Sequence, residues 1–317
     1  MGGSRLFSTA DSTNPGAFTA TDWALFCSIS TIWGASFLLI DIALDAFRPG
    51  LVTFLRAAGG AATLWLVPAA RRPLAPEDRL RVVVLSFVWV AVPFTIFPVA
   101  QQWVNSALTG MLNGAMPIFA AVLSTALLRR VPRPARLAGL LIGSVGVAAI
   151  AWSTAAPAAT SAVGVALILC ATLCYGVAVN LAVPLQQRYG AVPVMARITG
   201  LGALWTAPFG LYGLAGSAFG WSALLAVLAV GIVGTGIAYG IMGTLVGRAG
   251  SVRASFITYL IPVVALILGV VLRGDRVGGL AVVGVALATA GALLAARRER
   301  GADASERTPR LIAAQKA

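Results

Sequence analysis

Two arginines, Arg56 and Arg197, stand inside long apolar stretches of this chain. A guanidinium within such a stretch is costly unless it is paired or faces water. Each has two readings. It snorkels to an interface and caps backbone carbonyls, or it faces a cavity, where it attracts a carboxylate or closes a gate. Arg56 follows Pro49 by seven residues, about 10 Å of helical rise. Asp41 is the acid well within an apolar stretch, with Asp45 one turn on. It either couples protons or takes a solvated or capping role. Asn113 and Thr258 each precede a proline, Pro117 and Pro262, by four residues. A proline inside a helix frees a carbonyl and bends the axis, so these side chains line a cavity or bond a neighbouring helix. Trp33, Tyr175, Tyr239 and Tyr259 also lie inside apolar stretches. They are packing residues or walls of a binding site. Asn180 and Gln101 are weaker candidates, since each can simply mark a helix end.

Other chemistries lack their residues. The chain has no histidine and three cysteines, Cys27, Cys170 and Cys174. Zinc sites draw on both types at set spacings, so the cysteines read as small buried apolar side chains. No metal and no cofactor is expected. The sole lysine is Lys316, which excludes a Gly-x-x-x-x-Gly-Lys phosphate loop. Gly234-Thr235-Gly236 sits in a long apolar segment with no strand before it, so it is not a dinucleotide loop.

The elements that carry these residues follow from composition. Of 317 residues 59% are hydrophobic and 10% charged, against roughly 25% charged in a soluble domain. The charges cluster between apolar runs, so the chain reads as an integral membrane protein. Crossing about 30 Å of hydrocarbon takes ~20 apolar residues per helix. Ten stretches qualify: 23–44, 50–70, 81–100, 107–128, 135–153, 160–183, 193–214, 221–246, 251–272 and 277–296. The tightest breaks fall near Phe47–Pro49 and Ala249–Ser251. Residues 1–21 lack the layout of a cleaved leader, so the first span is expected to stay. With the N-terminus in the cytoplasm, 18 of the 23 basic residues fall on the cytoplasmic side and three (Arg48, Arg273, Arg276) outside. That bias predicts a multi-pass protein of the plasma or inner membrane with both termini cytoplasmic. The net charge of +13 therefore answers to lipid headgroups rather than nucleic acid.

The halves repeat. A shift of 145 positions carries Pro117 onto Pro262, Gly139 onto Gly284, Gly146 onto Gly291 and Asn113 onto Thr258. Shifts of 142 and 141 carry Trp33-Gly34 onto Tyr175-Gly176 and Arg56 onto Arg197. Five spans per half is an odd number, so the second half enters from the opposite side. The expected fold is an all-α membrane protein of ten transmembrane helices in two inverted five-helix repeats, 23–153 and 160–297, with tails at 1–22 and 298–317. Such repeats place a substrate site near the midplane between them.

The pattern resembles the EamA-type members of the drug/metabolite transporter superfamily. The residues that carry it are Trp33-Gly34-Ala35-Ser36-Phe37, Pro49 with Arg56, Ser106-Ala107 running to Pro117, then Gly139 and Gly146. The half-pattern recurs as Ser251 to Pro262, Gly284 and Gly291. Where that family often has glutamate after the fourth and ninth spans, this chain has Arg130 and Asp275, so no shared acidic role is implied there. The resemblance implies a ten-helix fold and export or exchange of small metabolites, typically amino acids and related compounds.

The expected function is a secondary transporter with a small-molecule substrate and surrounding membrane lipid as its partners, as monomer or homodimer. A membrane-embedded enzyme acting on a lipid substrate would want clustered acids, and Asp41 with Asp45 is a thin cluster. A non-transporting scaffold or sensor has no need of two opposed halves.

Overall fold

A computed structural model describes residues 6–14, 16–104, 106–131, 134–154, 161–268 and 278–296. Arg5, Arg133, Arg273, Asp275, Arg276 and the 298–317 tail lie outside the described residues.

Every regular element among the described residues is helical. In chain order they are α1 (Ala20–Leu44), α2 (Pro49–Trp65), α3 (Arg79–Leu85), α4 (Val92–Ala100), α5 (Ser106–Leu112), α6 (Met116–Leu128), α7 (Pro134–Thr154), α8 (Ala162–Tyr189), α9 (Ala191–Leu214), α10 (Trp221–Gly231), α11 (Ala238–Ala249), α12 (Ser251–Ser255), α13 (Ile257–Leu268) and α14 (Gly279–Ala296). Several join end to end. A π-helical turn, Ser86–Ala91, links α3 to α4, and another, Ile232–Ile237, links α10 to α11. A 3₁₀ turn, Asn113–Ala115, links α5 to α6.

Five helical stretches are long and apolar enough to cross a membrane: Ala20–Leu44, Pro76–Ala100, Leu108–Leu128, Ala162–Tyr189 and Trp221–Ala249. Shorter apolar helices include Pro134–Ile150, Ser251–Val264 and Gly279–Leu294. Length thus separates five clear spans from the ten expected. The stretch expected at 50–70 shows why. Its helix ends at Trp65, and the chain turns through 3₁₀ segments Pro68–Arg71 and Pro76–Asp78. The outer surface carries Val122, Trp152, Leu211, Tyr212 and Trp221 well exposed, an apolar coat suited to lipid with aromatic residues among it. Cys27 and Cys170 are exposed on it and Cys174 is half-buried, which corrects their reading as buried side chains. A bundle that faces hydrocarbon can carry small apolar groups outside.

Packing follows an exchange of halves. α2 lies along α9, and α7 lies along α14. α1 meets α13 where α8 meets α6, and α1 meets α10 where α8 meets α4. Two glycines show the correspondence. A Cβ on Gly34 would come within 2.7 Å of Val264, and one on Gly176 within 2.7 Å of Phe119. Val264 and Phe119 are 145 positions apart, like the prolines. The α7–α14 seam is closer still: a Cβ on Gly146 would stand 2.3 Å from the Ala288 nitrogen, and one on Gly291 2.6 Å from Gly143. Backbones approach this closely only through small residues.

The expected breaks are present. α1 stops at Leu44 and α2 begins at Pro49, while Gly250, at φ +80°, separates α11 from α12. Only glycine takes that conformation freely.

Candidate functional site

At the centre of the bundle a small cavity of ≈ 20 Å³ is lined by Trp33, Ser36, Phe37, Ile40, Arg56, Phe97, Asn113 and Tyr175. α1, α2, α4, the 3₁₀ turn and α8 each contribute. Two of the lining residues are the matched pair Trp33 and Tyr175.

Arg56 supplies the positive charge. It is 5% exposed. Its Nε donates to Thr235 Oγ1 at 3.1 Å, and its guanidinium carbon sits 3.9 Å from the Phe94 ring centroid. The ring face attracts the cation. No carboxylate lines the cavity, and none among the described residues forms an ion pair with Arg56.

Both π-helical turns serve this site. A π turn leaves the regular ladder and frees backbone groups, and such turns are frequent at functional positions. In Ile232–Ile237, the Gly234 carbonyl accepts from Trp33 Nε1 at 2.9 Å. Thr235 Oγ1 donates to the Val230 carbonyl at 3.0 Å and accepts from Arg56. In Ser86–Ala91, the Trp89 carbonyl accepts from Tyr239 Oη at 3.2 Å. Tyr239 backs the cavity, its ring 5.8 Å from those of Trp33 and Phe94. Tyr175 stacks on Phe97 at 5.7 Å, and Phe97 meets Phe37 edge-on at 5.5 Å. Asn113 Oδ1 accepts from Thr172 at 3.4 Å.

Towards the end that carries Asp41, Asp45 and Arg48, a vestibule of ≈ 390 Å³ opens, lined also by Gln101, Gln102 and Gly216. Gln101 donates through Nε2 to the Phe37 carbonyl at 3.1 Å, while its Oε1 is buried without a partner. Phe37 and Gln101 thus form the partition between vestibule and cavity. At the opposite end the helices are tied by charge. Arg188 bridges to Glu77 at 3.1 Å and to Asp78 at 2.8 Å, and Arg248 bridges to Asp22 at 2.7 Å.

The structure therefore brings Trp33, Arg56, Asn113 and Tyr175 together around one cavity, with Tyr239 behind them. It sends the others elsewhere. Arg197 donates through Nη1 to the Ala70 and Pro193 carbonyls at 2.8 and 2.9 Å and lies 5.7 Å from the Trp65 ring. That is the carbonyl-capping alternative. Thr258 donates to the Ser255 carbonyl at 2.9 Å and is fully buried. Tyr259 pairs with Ser144 Oγ at 2.9 Å and reaches the Leu140 carbonyl at 2.9 Å. Asp41 lines the vestibule, not the cavity. Asn180 bonds the Ala120 and Gly176 carbonyls and packs.

A larger concavity of ≈ 700 Å³ is lined by Trp65, Pro73, Leu74, Arg79, Val82, Arg197 and neighbouring residues. Its walls are mostly apolar, and of its two arginines Arg197 is already held by the Ala70 and Pro193 carbonyls. The small central cavity has the converging polar and aromatic side chains of a binding site, although at ≈ 20 Å³ it is closed down far below the volume of a ligand pocket. Sequence reasoning missed Phe94 and Thr235, which hold Arg56. Thr235 lies in the Gly-Thr-Gly run set aside as a dinucleotide loop, and nothing in the local sequence marks a π turn. No group of three potential ligands among the described residues could hold a metal.

Comparison with known proteins places this architecture. The chain is 25% identical over 306 residues to a probable terminal-alkyne amino-acid exporter of Streptantibioticus cattleyicolor, covering 90% of this chain and 97% of that one. It is 26% identical over 129 residues to the protein PagO of Salmonella typhimurium, covering 40% of this chain and 42% of that one. A solved crystal structure matches with a TM-score of 0.69 at 22% identity, over 90% of this chain and 99% of the other, a likeness of fold. The model of the EamA-like transporter family matches twice, over residues 23–152 and 162–297. With two tandem copies of that unit spanning most of its length, this multi-pass membrane protein belongs to the EamA-like transporter family.

Proposed function

We propose that the chain is a secondary active transporter that exports or exchanges small carboxylate-bearing metabolites, amino acids and related compounds, across the cell membrane. One observation carries this reading: the cavity at the centre of the bundle holds one cation, Arg56, no acid, and aromatic walls. A carboxylate would pair with the Arg56 guanidinium, as charge-assisted bonds favour. Trp33, Phe97 and Tyr175 would take the apolar part. The amino-acid exporter from Streptantibioticus cattleyicolor agrees in chemistry.

The mechanism is alternating access. Ten spans in two inverted repeats account for the paired contacts across the halves, the two family-model matches, and the π turns 146 positions apart. On this reading both termini are cytoplasmic, and the end tied by Arg188 and Arg248 faces the cytoplasm. The vestibule at Asp41 faces outward. A cavity of ≈ 20 Å³ has room for about one water, so the described conformation is closed around the site. Passage between the cavity and the outer vestibule requires Phe37 and Gln101 to move aside. Asp41, in the vestibule wall, is the proposed proton-coupling group. Arg197, Thr258 and Tyr259 act as supports and not as ligands. Cells over-producing the protein, screened for efflux of a panel of amino acids and amines, test the proposal. Efflux of carboxylate-bearing members alone supports it. Efflux confined to compounds without a carboxylate contradicts it.

A further inference from the structure

The described residues before α1, 6–14 and 16–19, form no helix, yet they are held at many points. Arg81 of α3 donates through Nη2 to the Leu6 carbonyl at 3.1 Å and to Ser8 Oγ at 2.6 Å. Gln187 of α8 donates to the Asp11 carbonyl at 2.7 Å. The Asn14 amide donates to the Arg248 carbonyl of α11 at 3.0 Å. Arg253 of α12 donates through Nη1 to the Asn14 carbonyl at 2.8 Å and through Nη2 to the Gly16 carbonyl at 2.9 Å. Its guanidinium lies 4.5 Å from the Phe18 ring centroid. Ser12 lies over Gly250, where an added Cβ would come within 3.3 Å of the Ser12 Cβ.

Two features separate this from an ordinary tail. First, its contacts span both family repeats: Arg81 belongs to the first, and Gln187, Arg248 and Arg253 belong to the second. Second, its carbonyls are partners of two deeply buried arginines, Arg81 at 3% and Arg253 at 2% exposure. Burying such charges is costly unless they are hydrogen-bonded, so the cleft is built for an extended backbone.

We propose that residues 6–19 are a detachable latch, docked in a cleft between the two repeats whose vacated form is the inner mouth of the transport pathway. While docked, the segment ties α3 to α8, α11 and α12, and the repeats cannot part at this end. When it leaves, water replaces its carbonyls on Arg81 and Arg253, and the exposed guanidiniums favour an anionic group at the mouth. The consequence for transport rests on the transporter reading; the docking and its release do not.

The test is labelling. In a chain with Cys27, Cys170 and Cys174 replaced by Ala, Gln187→Cys is placed beneath the latch, where the Gln187 side chain donates to the Asp11 carbonyl at 2.7 Å. A water-soluble maleimide is applied to inside-out vesicles carrying the full chain, a chain lacking residues 2–14, or the full chain with Arg253→Gln. Labelling should be about tenfold faster in both altered chains, corresponding to ~1.4 kcal/mol of latching. Equal rates in all three overturn the proposal. If the shortened chain does not reach the membrane, the Arg253→Gln comparison decides. Labelling needs no substrate, so an absence of transport beside the expected labelling pattern counts against the transporter reading alone.

Discussion

At the scale of single residues, the proposed binding role depends on how one arginine is held. Arg56 is fixed on two sides, by Thr235 Oγ1 and by the Phe94 face. Thr235→Val keeps the shape and removes the oxygen. Losing one hydrogen bond to a charged group costs roughly 1.5–3 kcal/mol, so the purified protein should melt at a lower temperature, and substrate affinity should fall by about tenfold as the guanidinium loses its orientation. A transport KM series checks this. Phe37→Ala should widen the partition and let bulkier substrates through, which competition assays with graded side chains would show. Arg56 and Arg197 looked equivalent in sequence, as did Asn113 and Thr258. Their fates differ because position within a helix does not say which face meets the cavity. Arg197 lies beside Ala70 and Pro193, whose carbonyls it caps, and the turn that brings Ala70 there depends on the chain folding back after Trp65.

At the scale of elements, the helices and most of their breaks were legible, since apolar run length and Pro or Gly punctuation fix both. The Leu44–Pro49 and Gly250 breaks fell where expected. The π turns were not legible. Ser86–Ala91 and Ile232–Ile237 share no residue pattern, and an extra residue in a turn leaves the apolar count unchanged. The small-residue seam was partly legible through Gly139, Gly146, Gly284 and Gly291. Gly146→Leu would drive a side chain into the backbone at Ala288. Overpacking costs typically ~1–3 kcal/mol and more where backbone is struck, so its yield and thermal midpoint should drop sharply. Gly279→Ala, with nothing within 4 Å of its Cβ, should leave both unchanged. Fluorescence-detected size exclusion after a heating series compares the two.

At the scale of the whole molecule, the repeat found by shifting the sequence reappears as paired contacts: α1 with α13 and α8 with α6, α2 with α9, α7 with α14. An inverted arrangement predicts that tags at the two termini are digested or labelled from the same, cytoplasmic, side of the membrane. Protease protection of tagged cells checks this. What the sequence hid at this scale is which end is tied by charge. That depends on Arg188, Glu77 and Asp78 meeting across about 110 positions, a distance no local pattern spans. The most direct test of the central claim is counterflow of labelled amino acids into proteoliposomes holding the natural chain or Arg56→Gln. Accumulation by the natural chain is expected, with apparent affinity about 10- to 100-fold weaker in the variant, from the ~1.5–3 kcal/mol of a lost charged partner. Accumulation of a carboxylate substrate that is the same with and without the arginine would contradict it.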